Sequence, residues 1–358
     1  MKKLILVLLF PVSTCFSSGL VNGTISGNGS VGSGVSTSTI TNIATTAAGI
    51  VVSSNWTQIA YVDPNGTSSG VLGNASKPFA LLSQAAVACT GGQRIIINPG
   101  SYFDTVGNIS LSNGVTVSAY GVNYTVSNAN SGAFCNIIPK GTNNEVDGGT
   151  WNLLTSSPGD IGGMFGTVVG PAFGNFVLRD VTVHSQDGCF KYSYTGISDA
   201  WFFNCTFDGD YAGFTCEGTS GGLTNHIFDC FVTLTNTIQP LNYRTAFKIR
   251  GQSAGTYFIQ NCHVVISDAG ITNFASGITT GHVPSGAGGS LNPNTFFANG
   301  LTFDMTQCTN PLSFNINVHS LTNAITLNNC WNVNGSRLTW SNYNIGVYPF
   351  QTNYYFAP

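Results

Sequence analysis

Charged side chains are scarce in this chain, where lysine, arginine, aspartate and glutamate make up only 7% of the residues. Several of them nevertheless recur at related positions of one stretch, and these are Asp187, Lys191, Asp208, Asp210, Glu217, Lys248 and Arg250. Two carboxyl groups roughly 5–10 Å apart can act as acid and base on a glycosidic bond. A lysine or arginine can stabilise the anion formed when a base removes a sugar proton. The stretch is therefore a candidate for sugar binding or for acid–base chemistry on a sugar.

Three short segments of this stretch align with one another, and each alternates apolar and polar residues with the period of a strand. They are Phe190–Ser193, Phe214–Glu217 and Phe247–Arg250. The alignment places Lys191, Thr215 and Lys248 in one column, Ser193, Glu217 and Arg250 in the next, and Asp187, Asp208 and Asp210 in the preceding turns. We expect this polar face to point to solvent, and one interpretation of it is a sugar-binding or acid–base groove. The alternative is a solvated wall on which Glu217 and Arg250 only pair across neighbouring turns, which contributes little.

A second repeated position is occupied by cysteine. Cys205, Cys230 and Cys262 follow one another at spacings of 25 and 32 residues, and the alignment extends back to Asp180 and forward to Cys308 and Cys330. A period in the twenties is typical of a solenoid, whose repeats bury their apolar faces only against their neighbours. We expect these cysteines to form a buried stack. No C-x-x-C pair occurs among the ten cysteines, so the sequence gives no support for a zinc site.

Strands repeated once per turn, without helices between them, predict an all-β fold. We expect a single-stranded right-handed parallel β-helix of about ten coils. Helical spacing of apolar residues from Phe79 to Cys89 predicts a short N-terminal capping helix that ends at Gly91-Gly92. A β-branched strand, Arg94–Asn98, and a Pro99-Gly100 turn follow.

The stretch from Lys77 to Asp104 resembles the N-terminal cap and first coil of the pectate-lyase-like superfamily, in which a short helix closes the open end of the solenoid. With the later repeats, the resemblance covers about Trp56 to Trp340. It implies polysaccharide lyase or glycoside hydrolase activity, and it also takes in adhesin and spike-type members. Calcium-binding lyases of the family use clustered aspartates, which would make Ca²⁺ the implied cofactor. No three aspartates share one column here and the polygalacturonase motifs are absent, so we predict no metal and no cofactor.

Composition divides the chain into four regions. We expect a signal peptide at 1–18, a Gly/Ser/Thr-rich linker or attachment segment at 19–55, the β-helix at 56–342 and an aromatic cap or tail at 343–358. Two longer loops are expected at Pro158–Gly174 and Pro284–Asn294. The protein is thus expected to be secreted or on the cell surface. Val12–Cys15 resembles a lipoprotein box and leaves lipidation at Cys15 open.

The charge balance bears on the class of partner. A net charge of −3 with few basic residues argues against nucleic acid, which requires a basic face. We predict an adhesin or spike-like surface protein that binds a polysaccharide or cell-surface glycan through a polar sheet face. The alternative is a secreted polysaccharide lyase or glycoside hydrolase, and a further one is a homotrimeric virion fibre or spike subunit. The sequence leaves open whether the protein is an enzyme and which residues would be catalytic.

Overall fold

The chain divides into two units, Met1–Thr57 and Gln58–Pro358. The computed structural model describes residues 59–128, 135–155, 163–167, 174–186, 188–192, 198–218, 223–235, 241–251, 256–280, 294–311, 313–318, 323–342 and 353–356. The predicted signal peptide and linker lie outside these residues. Among the residues described, no helix is both long enough and apolar enough to cross a membrane.

The described residues of the second unit form one helix and a series of short strands. The helix, α1, spans Leu82–Ala88. The strands in chain order are β1 Ile59–Thr67, β2 Arg94–Ile97, β3 Gly100–Asp104, β4 Ile109–Leu111, β5 Thr116–Ser118, β6 Val122–Asn128, β7 Cys135–Pro139, β8 Asn144–Asp147, β9 Thr150–Thr155, β10 Gly163–Thr167, β11 Asn175–Arg179, β12 Thr182–Ser185, β13 Gly188–Tyr192, β14 Ser198–Phe203, β15 Thr206–Gly209, β16 Ala212–Gly218, β17 Leu223–Phe228, β18 Phe231–Leu234, β19 Leu241–Gly251, β20 Thr256–Gln260, β21 His263–Ser267, β22 Ile271–Thr280, β23 Asn294–Asn299, β24 Thr302–Gln307, β25 Phe314–Val318, β26 Asn323–Asn328, β27 Trp331–Asn332, β28 Trp340–Asn342 and β29 Asn353–Phe356.

The strands form three parallel sheets, and the chain visits them in strict rotation from β2 to β28. Sheet 1 has eleven strands in the order β1-β2-β5-β8-β11-β14-β17-β20-β23-β26-β29. Sheet 2 has nine, β3-β6-β9-β12-β15-β18-β21-β24-β27, and sheet 3 has nine, β4-β7-β10-β13-β16-β19-β22-β25-β28. Each coil lies about 4.8 Å above the last, the spacing of hydrogen-bonded strands. The predicted parallel β-helix with its N-terminal capping helix is confirmed.

Alternating side chains point into the solenoid, and they stack like on like. In sheet 2, Tyr102, Tyr124 and Trp151 are buried and stack with ring centroids 5.4 and 5.3 Å apart. In sheet 3, the Phe190, Phe214 and Phe247 rings follow one another in register. Because every coil repeats the same inward position, the core is a set of ladders and no coil can bury its face alone.

The buried cysteine stack is confirmed, with a shift in its outer members. The backbone oxygen at each stacked position accepts a hydrogen bond from the first residue of the sheet 2 strand in the next coil. The pairs are Val181 with Thr206, Cys205 with Phe231, Cys230 with His263, and Cys262 with Thr302. Cys205, Cys230 and Cys262 are at most 2% exposed. Val181 rather than Asp180 therefore precedes the stack, and Leu301 rather than Cys308 continues it. The alignment placed Cys308 in the stack because it matched cysteines with one another. The stacked position requires only a small or apolar side chain, and leucine also fits it.

Asn and Asp occupy the turn that leads from sheet 1 to sheet 2. Asp180, Asn204, Asp229, Asn261 and Asn329 all have φ between 51° and 55°. Short polar side chains tolerate this left-handed backbone better than any other non-glycine residue. Neighbouring members also bond to one another, as in the 2.7 Å contact from Asn204 Nδ2 to Asp180 Oδ1. This turn explains why an Asn or Asp recurs immediately before the stacked position.

The N-terminal cap is fixed by a buried hydrogen-bond chain. The backbone N–H of Leu82 donates to the Tyr124 hydroxyl over 2.8 Å, and that hydroxyl donates to Asp104 Oδ2, also over 2.8 Å. The backbone N–H of Ser83 reaches the same carboxylate at 3.3 Å. A carboxylate at the first turn satisfies amide groups that the helix itself cannot pair.

The predicted loops and tail require one correction. Pro158–Gly174 was expected to be a loop, but it contains the sheet 3 strand β10, paired to β7 and β13. The second expected loop, Pro284–Asn294, lies outside the described residues up to Asn294, which begins β23. In the expected aromatic tail, β29 adds the last strand to sheet 1.

Candidate functional site

The polar columns predicted from the sequence exist in register, but the three side chains of the first column are not in solvent. Lys191 pairs with Thr215 and Thr215 with Lys248 along sheet 3, and Glu217 pairs with Arg250. Lys191 is 4% exposed, Thr215 2% and Lys248 0%. The prediction that this column faces solvent is therefore wrong. A chemical role for these residues stays a prediction.

Lys248 belongs to a buried polar cluster at the corner between sheets 2 and 3. Its Nζ lies 2.6 Å from the Tyr211 hydroxyl and 4.9 Å from the centre of the Tyr211 ring. Arg244, fully buried, donates from Nε to the backbone oxygen of Asp210 over 2.8 Å and also bonds the backbone oxygen of Ser267. Burial lowers the pKa of Arg244, although the Asp210 carboxylate opposes that effect. Buried charges joined in this way hold a corner together, and losing one partner is expensive.

The other predicted site residues are dispersed. Asp208 lies on the outer face of sheet 2, where its Oδ2 is 3.0 Å from His184 Nδ1. Asp210 is 4% exposed and belongs to the buried corner. Asp187 lies outside the described residues, as do the side chains of Glu217 and Arg250. Within the part of the chain that the structure describes, no group of three His, Cys, Asp or Glu side chains could hold a metal ion.

A different surface, the outer face of sheet 1, carries an aromatic column. Trp201, His226, Phe258 and Phe297 occupy one register position on four consecutive strands. Successive ring centroids lie 3.7, 5.3 and 5.2 Å apart, and the ring planes are within 13° of parallel. The column faces outward because the residues alternating with it, such as Phe202 and Ile227, are fully buried. Phe258 and Phe297 keep 37% and 41% of their surface exposed, which is unusual for phenylalanine.

A second column runs beside the first, two residues further along each strand. We call it the mixed column, and its members in order are Arg179, Phe203, Phe228, Gln260, Asn299 and Asn328. Its aromatic part extends the apolar surface, since Phe203 and Phe228 stack 5.3 Å apart. Its amide part faces Phe258 and Phe297 across a shallow groove of about 390 Å³. Apolar surface on one side and hydrogen-bonding amides on the other is the composition of a polar-ligand site.

The aromatic column ends abruptly at Val177, and this end forms a notch. Val177 precedes Trp201 in register and follows Glu145, and both neighbours are longer than valine. His226 covers one face of the Trp201 ring, and the shorter Val177 on the other side leaves room for a cavity that both residues line. The resulting Trp201 notch encloses about 470 Å³, with Phe203 beside Trp201, Glu145 and Arg179 opposite, and Asn175 and Asp199 on its rim.

The polar wall of the notch is held in place by charge. Arg179 Nε donates to Glu145 Oε1 over 2.6 Å, and the Arg179 guanidinium carbon lies 4.4 Å from the centre of the Phe203 ring. Asp147, two residues beyond Glu145, is paired in register with Arg179. Burial, and then the neighbouring Glu145 charge, raise the pKa of Asp147 to about 6, with Arg179 acting against them. A carboxyl group with a raised pKa beside an aromatic wall is typical of functional sites.

His226 couples the notch to the aromatic column. Its Nε2 lies 3.6 Å from Asp199 Oδ1 on the rim of the notch. Burial lowers the pKa of His226, and the Asp199 carboxylate only partly offsets this. The imidazole is therefore neutral at neutral pH, which suits a ring stacked against Trp201.

Sequence reasoning missed this face because both sides of the strands are apolar. Trp201-Phe202-Phe203 is a continuous apolar run and Ile227-Phe228 ends the next strand, so neither segment shows the alternation that marks one outward face. The usable signal was the length of the runs. In a strand of a solenoid only every second side chain can face the core, so consecutive aromatics must put some rings outside.

Comparison with known proteins finds no protein-family model that matches the chain and no match among curated proteins or solved structures. The resemblance to the pectate-lyase-like superfamily stays a prediction from the sequence.

Proposed function

We propose that this protein is an extracellular, carbohydrate-binding surface protein, of the adhesin or spike-like kind, and that its glycan lies on the outer face of sheet 1. The observation that carries the proposal is the Trp201 notch, where an open indole face meets a carboxylate, a guanidinium and amide groups. Sugar rings have apolar C–H faces that pack on aromatic rings, and hydroxyl groups that pair with polar side chains. Secretion, lipidation at Cys15 and a trimeric assembly remain predictions from the sequence.

The shape of the face supports a polymeric ligand. The notch and the groove share Trp201 as a common wall, and the groove continues over four further strands to Thr326 and Asn328. Rungs repeat about every 4.8 Å along the solenoid axis. A linear glycan running along this axis would meet similar contacts at each rung, whereas a single sugar would use only the notch.

Binding to a panel of neutral, amino and acidic oligosaccharides tests the proposal. Trp201→Ala should weaken binding about tenfold or more, because central aromatic anchors dominate such sites. The matched control is Trp331→Ala, which removes a tryptophan that is 43% exposed on sheet 2 and should leave binding unchanged. Equal loss in both variants, or no binding by the parent protein to any glycan, would overturn the proposal.

A second candidate function, hydrolysis of a glycan, is favoured by the carboxyl pair Glu145 and Asp147. The two lie on the same outer face of β8, next to the open face of Trp201, and Asp147 has the raised pKa. A carboxyl group with a raised pKa can serve as the general acid that protonates the oxygen of a glycosidic bond. Release of reducing ends that is lost in Glu145→Gln and in Asp147→Asn would establish this function. Binding without any turnover would leave the protein a non-enzymatic lectin-like surface.

A further inference from the structure

The charges around the Trp201 notch are unbalanced. Two carboxyl groups, from Glu145 and Asp199, line it, against the one guanidinium group of Arg179. Arg179 is paired with Glu145 and also lies over the ring of Phe203. The surplus of negative charge is therefore located on the Asp199 side of the notch.

Asp199 is placed to contact a ligand. It lies two residues before Trp201 on β14, and its side chain is 40% exposed. Its carboxylate lies 3.6 Å from His226 Nε2, a distance longer than a normal hydrogen bond. Since burial favours the neutral imidazole, His226 does not cancel the Asp199 charge at neutral pH.

The neighbouring indole adds a second attraction for positive charge. An ammonium group within about 6 Å of a tryptophan ring is drawn to its electron-rich face, and tryptophan is the best of the aromatic side chains for this contact. The open face of Trp201 and the carboxylate of Asp199 line the same notch of about 470 Å³. A cation there meets both groups at once, while an anion meets a carboxylate surplus.

We infer that the Trp201 notch selects amino sugars, that is, hexosamine units whose amino group is free and protonated, over their N-acetylated counterparts and over uronic acids. This inference rests on the proposed function and specifies its ligand class. Asp199 pairs with the ammonium group, Trp201 packs on the apolar ring face, and Asn175 on the rim bonds hydroxyl groups. Acidic glycans are disfavoured because their carboxylates would approach Asp199 and Glu145.

Calorimetric titration of the full chain tests this selectivity with three probes: a β-1,4-linked glucosamine hexamer, the same hexamer fully N-acetylated, and a galacturonate hexamer. The glucosamine hexamer should bind about fivefold more tightly than the N-acetylated one, the effect of one partly exposed ion pair. The galacturonate hexamer should bind most weakly. Added salt should reduce the preference for the free amine, because exposed charges are screened.

Asp199→Asn separates the inference from the proposed function. It should lower the affinity for the glucosamine hexamer to that of the N-acetylated hexamer and leave the latter unchanged, whereas Asp199→Glu should retain part of the preference. Asp304→Asn, which removes a carboxylate from the outer face of sheet 2, is the control and should change neither. Equal parent affinities for both hexamers, or an equal loss for both in Asp199→Asn, would overturn the inference alone. Absence of binding to all three hexamers and to the wider glycan panel would overturn the proposed function as well.

Discussion

Trp201 and His226 stack on adjacent strands of sheet 1 with ring centroids 3.7 Å apart and ring planes 6° from parallel. This contact closes one face of the indole and directs the other toward Val177. It also joins the notch to the aromatic column, because His226 continues the stack to Phe258 at 5.3 Å. The proposed site thus depends on a step in an otherwise regular column, from valine to tryptophan.

Filling the notch should abolish binding without unfolding the protein. Val177→Trp extends the aromatic column by one ring and covers the open face of Trp201, so glycan affinity should fall about tenfold or more. Affinity is measured by calorimetry and folding by circular dichroism. Val265→Trp makes the same exchange on the outer face of sheet 2 and should bind normally. Normal binding by Val177→Trp would place the glycan elsewhere.

Removing the buried arginine should destabilise the solenoid. Arg244→Ala leaves the Asp210 and Ser267 backbone carbonyls without their donor and the buried Asp210 carboxylate without the charge of Arg244. Removing one partner of a buried charge pair costs about 3–5 kcal/mol. Urea unfolding monitored by circular dichroism measures the free energy of unfolding. Arg337→Ala, at an exposed position, should change it by less than about 0.5 kcal/mol. A stable Arg244→Ala protein that has lost glycan binding would instead make this corner the site.

The cysteine stack should be sensitive to a small polar change. Cys230→Ser replaces a thiol, 2% exposed between Cys205 and Cys262, with a hydroxyl that must be desolvated, at a cost of about 1–3 kcal/mol. Cys330→Ser, at a half-buried position, should cost less. Both values come from chemical unfolding under reducing conditions. Equal costs in the two variants would contradict the difference in burial between these two positions.

Stability should depend on pH through Asp147. Its pKa in the folded chain is raised to about 6, above the ordinary carboxyl value of about 4. Between these two pH values the folded state binds more protons than the unfolded state, so the free energy of unfolding falls as pH rises through this window. Asp147→Asn should therefore be more stable than the parent at pH 7, by on the order of 1 kcal/mol once solvent screening is allowed for, and the difference should vanish below about pH 4.

A control of opposite sign is available in Asp304. Hydrogen bonds from the hydroxyl and backbone N–H of Thr306 lower the pKa of this carboxyl group. Its contribution to stability is present above the ordinary carboxyl pKa and lost as pH falls through the lowered value. Asp304→Asn should thus reduce stability at pH 7. Thermal unfolding across pH 3–8 compares the two variants, and stabilisation by both, or by neither, would argue against the assignment at Asp147.

The fold could be predicted from the sequence because each coil of a solenoid repeats the same pattern of inward and outward residues. The Phe190, Phe214 and Phe247 alignment corresponds to a true ladder, and Cys205, Cys230 and Cys262 do stack. Periodicity does not show whether a side chain that alternates with the core residues is exposed to solvent or buried. Lys191 and Lys248 alternate correctly with the core residues, yet they are buried.

The notch could not be predicted from the sequence for a related reason. It depends on which residue follows which in register across coils of unequal length, so that Glu145, Val177 and Trp201 become neighbours although 32 and 24 residues separate them. A local pattern search compares residues within a strand. The step from Val177 to Trp201 appears only when the strands are laid side by side.

Hydroxyl-radical footprinting with and without the tightest-binding oligosaccharide tests the central claim most directly, because it locates the ligand on the surface. The outer faces of sheets 1 and 2 both carry exposed aromatic rings, so one experiment contains its own control. We predict that bound glycan protects Trp201, Phe258 and Phe297 on sheet 1 and leaves Phe231 and Trp331 on sheet 2 as reactive as before. Protection of Phe231 and Trp331 with none at Trp201 would contradict the assignment of the glycan site to sheet 1.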